Sequence, residues 1–487
     1  MTCNTKTAYR KYIITEMSNI FLIIINIHST HTTRSDTMRS AVSFGLLGGA
    51  LAFTNDKVNH IHQKALLRDA CPSDSLLVDG ACQLASYDSS STFASSITYG
   101  TNISRPSQSL EESRRTAQQT ADFPWTFWPE CFSNDDTEEP YCVFSHQGFA
   151  SGRGVFILTT KPFAYAMLEK PAFTHPDVLA SINKYDSPPF VQHEFPGKGR
   201  GLVANKTLHR GDQIFASTPI VITDSDAYEL STSERLALLY RGVDTLPAES
   251  QKRFWELMGH FNGDAVEDRI NTNNFDITID GVSQQALFPE IAMLNHDCRP
   301  NAAYAWDEEM MTHYVHAIRD IQPGEEITIT YIDNEKDRKT RMSRLKKNWG
   351  FDCGCSACTA HPAFTAESDS RLFQITDLAK MLDDWTPESS ATPEIAELLV
   401  TLYVQERLDA SLATAYKYAA EAYSSFGKKW EAIRYARLSV EMSMLDKGFR
   451  DGDTREMKKM AEGPEMTWSW NKRVGLSGKG CGCKHAH

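Results

Sequence analysis

Cys353, Cys355 and Cys358 stand in WGFDCGCSAC, Trp349 to Cys358, as C-x-C-x-x-C. Thiols this closely spaced suit zinc, which takes four tetrahedral ligands in structural sites, so a fourth ligand must come from elsewhere in the chain. Cys298 is a candidate. It lies in ALFPEIAMLNHDCRPNAAYAW, where Asn295, His296, Cys298, Pro300 and Asn301 crowd together between two apolar segments. The alternative is a loop of reduced cysteines with no metal. Cys71, Cys82, Cys131 and Cys142 are widely spaced and read either as disulfides or as buried thiols. Cys481 and Cys483, in the tail GCGCKHAH, read as part of a disordered end rather than a metal site.

Short strands must position these groups. VQHEF, LVAN and QIFASTPIVIT alternate around the glycine loop GKGRG, and NFDITID, AYAW, THYVHAI and EITITYI follow with a turn at Pro323-Gly324. ERLALLYRG and ESQKRFWELMGHF interrupt them with a helical period. Many short strands with helical interruptions predict an α+β domain. After Cys358 the period is helical throughout. LATAYKYAAEAYSSFG and KKWEAIRYARLSVEMSML, joined at Phe426-Gly427, look like one tetratricopeptide-type hairpin within a small bundle.

The divisions read from the text are a leader (1–52), an N-terminal region (53–185), the strand-rich domain (186–335) with a helical insert (224–280), the cysteine segment (336–360), a helical domain (361–465) and a tail (466–487). Within the N-terminal region, Ser86–Thr120 is rich in Ser and Thr and reads as linker, while the aromatic stretch Phe123–Thr160 reads as ordered, with no chemistry assigned. The basic run NEKDRKTRMSRLKKNW reads as a solvated helix face.

A formal net charge of −13 argues against a general nucleic-acid binder and suits a basic protein partner. No apolar run reaches the roughly 18–20 residues of a membrane span. MRSAVSFGLLGGALA, Met38 to Ala52, has the basic start, apolar middle and small-residue end of a signal peptide, and Asn102-Ile103-Ser104 is a glycosylation sequon. Both would matter on a secretory route. Zinc thiolates instead suit a reducing compartment, so a nuclear or cytoplasmic protein is the favoured expectation.

Four motifs in chain order carry a family resemblance. GKGRGL (Gly197–Leu202), NHDCRPN (Asn295–Asn301), GEEITITYID (Gly324–Asp333) and GFDCGCSAC (Gly350–Cys358) together resemble a SET-domain protein lysine methyltransferase with a cysteine-rich post-SET segment. With its helical C-terminal region the chain is most similar to fungal SET proteins related to the SET-and-MYND group. A MYND zinc finger normally splits that SET domain. Here Asp224–Asp280 contains no cysteine and reads as helical instead.

The resemblance implies a SET-type α+β fold in which the N-H-x-C-x-P-N segment threads beneath GEEITITY in a knot-like crossing. It implies S-adenosyl-L-methionine as methyl donor, and structural Zn2+ held by Cys298, Cys353, Cys355 and Cys358. The donor contacts it carries over are Lys198, Gly199, Arg200, Asn273, Asn295, His296, Tyr331 and Phe351, with Tyr331 also the catalytic residue. Beside these stand plainer readings: Tyr331 as a cross-strand aromatic, Phe351 as a plug under the zinc loop, and Asn271 or Asn274 in place of Asn273. Glu325 and Glu326 face opposite sides of a strand and are not an acid/base pair. The implied function is methyl transfer to a lysine of a protein substrate, histone or non-histone, with the C-terminal helices free to bind a protein partner. The rival readings are a non-catalytic SET scaffold and a secreted disulfide protein.

Overall fold

The computed structural model describes residues 108–133 and 139–474, preceded by the backbone of a strand pair, β1 (Ser75–Val78) and β2 (Ala81–Leu84). The leader with its signal-like segment, the sequon at Asn102, and Cys3, Cys71, Cys481 and Cys483 lie outside the described residues. The end of the stretch read as linker is a helix, Leu110–Gln119. Its start is written in Ser109-Leu110-Glu111-Glu112, where the Ser109 hydroxyl accepts the Glu112 N–H at 3.2 Å.

The aromatic stretch supplies β3 (Glu130–Phe132), β4 (Tyr141–His146) and β5 (Val155–Thr160). The first five residues of β4 and of β5 are buried on both faces, which explains their continuous apolar text. Cys131 and Cys142 are directly opposed on β3 and β4 and form a disulfide, which resolves the alternative left open for that pair. There follow β6 (Phe190–Phe195), β7 (Gly199–Ala204), β8 (Gln213–Ser217), β9 (Val221–Asp224), β10 (Asn274–Ile279), β11 (Val282–Leu287), β12 (Asn295–His296), β13 (Ala302–Asp307), β14 (Thr312–Ala317) and β15 (Glu326–Ile329).

One sheet runs β10-β11-β9-β5-β4-β3, with β5 and β9 parallel, so strands from both sides of residue 186 share it. The other sheets run β12-β15-β7-β6 and β13-β14-β8. The insert forms helices Thr232–Thr245, Ala248–Trp255 and Ala265–Asn273. Its Leu238, Leu239, Val243 and Phe254 bury against Phe156 and Leu158 of β5. The architecture is the expected α+β.

Beyond the cysteines, the helices are Pro362–Leu382, Pro393–Gln405, Leu412–Ser425, Lys429–Asp446 and Gly452–Glu462. Ala415, Ala419 and Ala422 on one helix, and Ala432 and Ala436 on the next, are buried and small enough to let the pair approach closely. Ala303 and Ile318 of the strand domain share this core. The start of the tail is packed: Arg473 lies 3.6 Å over the Trp385 ring and donates to the Leu382 and Asp384 carbonyls, while GCGCKHAH lies outside the described residues. Among the described residues no helix is long and apolar enough to cross a membrane.

Candidate active site and metal centre

The segment around Asn295 runs beside β15 as a parallel strand, Asn295 opposite Thr328 and His296 opposite Ile329. Two residues of such pairing are weak, and the Asn301 side chain reinforces them. Its amide donates to the Glu326 carbonyl at 2.8 Å and its oxygen accepts the Thr328 N–H at 2.8 Å. Backbone and side chain together hold the two segments of the expected crossing side by side.

Tyr331 lies just past the end of β15. Its N–H donates to His296 Nδ1 at 3.0 Å and its hydroxyl to the Leu294 carbonyl at 2.6 Å. Its ring lies 5.2 Å from the Trp349 ring and 5.4 Å from His296. Burial, then the charge of Glu326, raises the pKa of the Tyr331 hydroxyl, which stays protonated. Burial pushes His296 down to about 4, so its ring is neutral and Nδ1 is free to accept. Phe351 sits 6.3 Å from His296, on the cysteine side.

Glu326 gathers two further candidates. Its carboxylate accepts from the Asn295 amide at 2.9 Å and from Lys198 Nζ at 2.8 Å. Glu325, its neighbour, turns the other way to Arg319 and Asn301, as strand alternation requires. Gly199 has φ +78°, a conformation that favours glycine, and open space where a Cβ would point. The close approach is at Gly201, where a Cβ would meet Asn295 Nδ2 at 2.5 Å. Two candidates are engaged elsewhere. Arg200 donates to the Glu256 carbonyl. The Asn273 amide donates to the carbonyls of Met258 and Arg269, closing the insert on itself. The insert still reaches the site one residue away, since Trp349 Nε1 donates to the Thr272 carbonyl at 3.3 Å.

Cys298, Cys353, Cys355 and Cys358 are all buried, and their sulfurs lie within 4.8 Å of one another. Tetrahedral zinc–thiolate bonds of about 2.3 Å require sulfurs just under about 4 Å apart, so the donor set fits zinc with slight contraction. None of the four is in a disulfide. Hydrogen bonds from the other three thiols hold the Cys355 thiol well below its ordinary pKa, which favours a thiolate at the centre of the cluster. Four thiolates around Zn2+ leave two negative charges to offset. Helix Arg338–Trp349 carries the basic run: Lys339, Arg344, Lys346 and Lys347 are exposed, as a solvated face requires, while Arg341 turns inward with positive charge. Arg341 is 1% exposed with Cys298 and Cys358 among its charged neighbours, and Arg338 donates to the Cys358 carbonyl at 2.6 Å. Glu326, Trp349, Gly201 and Arg341 are the site residues that sequence reasoning missed. Three of them carried a signal: Trp349 adjoins the cysteine motif, Gly201 stands in GKGRGL and Glu326 in GEEITITYID.

Comparison with known proteins agrees with this geometry. Residues 199–332 match the SET domain family. The chain is 31% identical over 206 residues to histone-lysine N-methyltransferase set5 of Schizosaccharomyces pombe, covering 41% of this chain and 57% of that one. It is 34% identical over 105 residues to N-lysine methyltransferase SMYD2-A of Danio rerio (21% of this chain, 24% of that one). With human SMYD2 it shares 30% identity over 118 residues, 24% of this chain and 27% of that one. The chain thus spans a little over half the length of set5 and about a quarter of the SMYD2 proteins it matches. Residues 199–332 are a SET domain, in a chain related to the SET and SMYD group of lysine methyltransferases.

Proposed function

We propose that the protein is an S-adenosyl-L-methionine-dependent protein lysine methyltransferase. The observation that carries this reading is the double attachment of Tyr331 to the segment Leu294–His296, hydroxyl to the Leu294 carbonyl and N–H to His296. The methyl donor, when bound, supplies an electrophilic methyl group for in-line displacement by an amine. Tyr331 keeps its proton and donates a hydrogen bond to the Leu294 carbonyl, so its oxygen is left to accept an N–H of the incoming lysine and fix its approach. Trp349 and Tyr331 wall the position with aromatic surface, which excludes water and favours the neutral amine. His296 holds the Tyr331 backbone. Asn295 and Lys198, now tied to Glu326, are the polar groups available to the donor. Cys298, Cys353, Cys355 and Cys358 would hold zinc, which would fasten the post-SET segment to the crossing and couple metal binding to assembly of the site.

We further propose a nuclear or cytoplasmic location, supported by four free thiols in one cluster. The Cys131–Cys142 bond and the segment 38–52 speak for secretion, and recovery of the protein from medium with sugar on Asn102 would overturn the location.

The test is calorimetric titration of the full chain with S-adenosyl-L-methionine, zinc being counted on the same sample, followed by transfer of labelled methyl to histones and cell extract. One donor and one zinc per chain with label on lysine are expected. A full zinc complement without donor binding would replace the enzyme with a non-catalytic scaffold.

A further inference from the structure

Arg299 is 6% exposed, yet it lies within the site segment, between Cys298 and Pro300. Its guanidinium makes four hydrogen bonds. Nη1 donates to the Cys298 carbonyl at 2.8 Å and the Asn334 carbonyl at 3.3 Å. Nη2 donates to the Glu406 carboxylate at 2.8 Å, and Nε to the Glu406 carbonyl. Glu406 is 107 residues away in sequence, at the C-terminal cap of helix Pro393–Gln405. It too is 6% exposed. Its other bonds come from a second C-terminal helix: Ser368 donates to Oε2 at 2.6 Å and Arg371 to Oε1 at 2.6 Å.

The chemistry of this pair is specific. The last carbonyls of a helix have no partner within it and carry partial negative charge, which a guanidinium satisfies. Burying a carboxylate and a guanidinium is costly, and hydrogen bonds offset that cost here: the guanidinium makes four and the carboxylate accepts three. The anchored residue is not a bystander. Arg299 grips the carbonyl of Cys298, a residue of the thiol cluster, and two residues on Asn301 pins the same segment to β15. The C-terminal helices therefore hold one end of the segment and the sheet holds the other.

We propose that Arg299 and Glu406 are positioning residues through which the C-terminal helical domain sets the geometry of the methyl-donor pocket and the thiol cluster. The proposal rests on the methyltransferase reading for its donor half and on the thiol cluster alone for its metal half. It gives the helical domain a task inside the enzyme, beyond any partner it binds.

The experiment compares full-length wild type, Arg299→Met, Arg299→Lys, Glu406→Gln and Leu399→Ala. Leu399 is buried within the helical core and serves as a control for loss of stability alone. Three quantities are read at a temperature where all five are folded: zinc release to a chelator, donor affinity by calorimetry, and the donor KM against kcat. Arg299→Met and Glu406→Gln should each release zinc at least tenfold faster and weaken donor binding at least tenfold. The loss should appear mainly in the donor KM. Arg299→Lys, which keeps the charge but not the fork, should recover part of it, and Leu399→Ala should lower the melting temperature while matching wild type in all three. Zinc release and donor affinity within twofold of wild type in both Arg299→Met and Glu406→Gln would overturn the proposal, as would equal effects from Leu399→Ala. Should Arg299→Met not fold, Glu406→Gln decides, since it keeps the shape of the residue it replaces. Should wild type bind no donor, the methyltransferase reading fails, and the zinc-release comparison still decides whether the helices position the cluster.

Discussion

Glu290 begins the turn that delivers the chain to Asn295, and it is 2% exposed. Arg153 grips both its carboxylate oxygens, at 2.9 and 2.6 Å, Arg253 donates at 2.8 Å and Ser217 at 2.7 Å. These partners come from the segment before β5, the insert helix Ala248–Trp255 and β8, so one carboxylate ties three parts of the chain to the approach of the site. Burial by itself would raise its pKa. Arg153 first, then Arg253 and Ser217, bring it down to about 2 from an ordinary 4.5. A depression of that size is worth about 3 kcal/mol, present above pH 4.5 and lost as pH falls toward 2. Glu290→Gln keeps the shape, leaves the Arg153 guanidinium without its charge partner and leaves Arg253 with Glu249 alone, a cost of about 3–5 kcal/mol. The assay is urea unfolding of wild type and variant, followed by tryptophan fluorescence, at pH 7 and pH 3. The gap at pH 7 should be about 3 kcal/mol or more, and at pH 3 it should shrink by about 2 kcal/mol, because the unfolded wild-type chain takes up a proton on Glu290 that the folded chain does not. A gap below about 1 kcal/mol at pH 7, or one that stays constant with pH, would refute the reasoning.

Tyr331→Phe should lower turnover by about a hundredfold or more while zinc content and donor affinity hold, and a fully active variant would remove the hydroxyl from the mechanism. Cys355→Ser should lower zinc per chain, melting temperature and donor affinity together; a variant with wild-type zinc and affinity would dissolve the metal centre as drawn. Gly201→Ala should weaken donor binding about tenfold or more, because its Cβ must displace the Asn295 amide 2.5 Å away. Gly199→Ala meets no neighbour but sits at φ +78°, so it should cost about 1 kcal/mol of stability and little affinity; the reverse pattern would show that the two glycines have been assigned the wrong tasks.

What the sequence determined by itself is what local chemistry can write. Alternating strands, the alanine-lined helices and the cysteine motif each lie within a few residues of one another, where propensity and spacing act directly. The α+β class was legible for that reason, whereas the cluster of Cys298 with the post-SET thiols and the placing of Tyr331 against the segment of His296 were legible through the family resemblance that the ordered motifs carry. Other features depend on which segments meet. The parallel pairing of β5 with β9 draws residues 130–160 into the same sheet as β10 and β11, and no local pattern in the aromatic stretch names that partner. Arg299 and Glu406, or Glu290 with Arg153 and Arg253, are ordinary charges in the text and become buried anchors only when distant segments close on them. Glu326, in the text one of two strand carboxylates facing opposite sides, becomes the bridge between Asn295 and Lys198 in the same way. Arg200 and Asn273 went the other way, their donors taken by backbone carbonyls of the insert. A side chain's period along its own strand or helix is fixed by backbone geometry, whereas its partner is fixed by tertiary closure, and burial then decides whether its charge is solvated or must be matched.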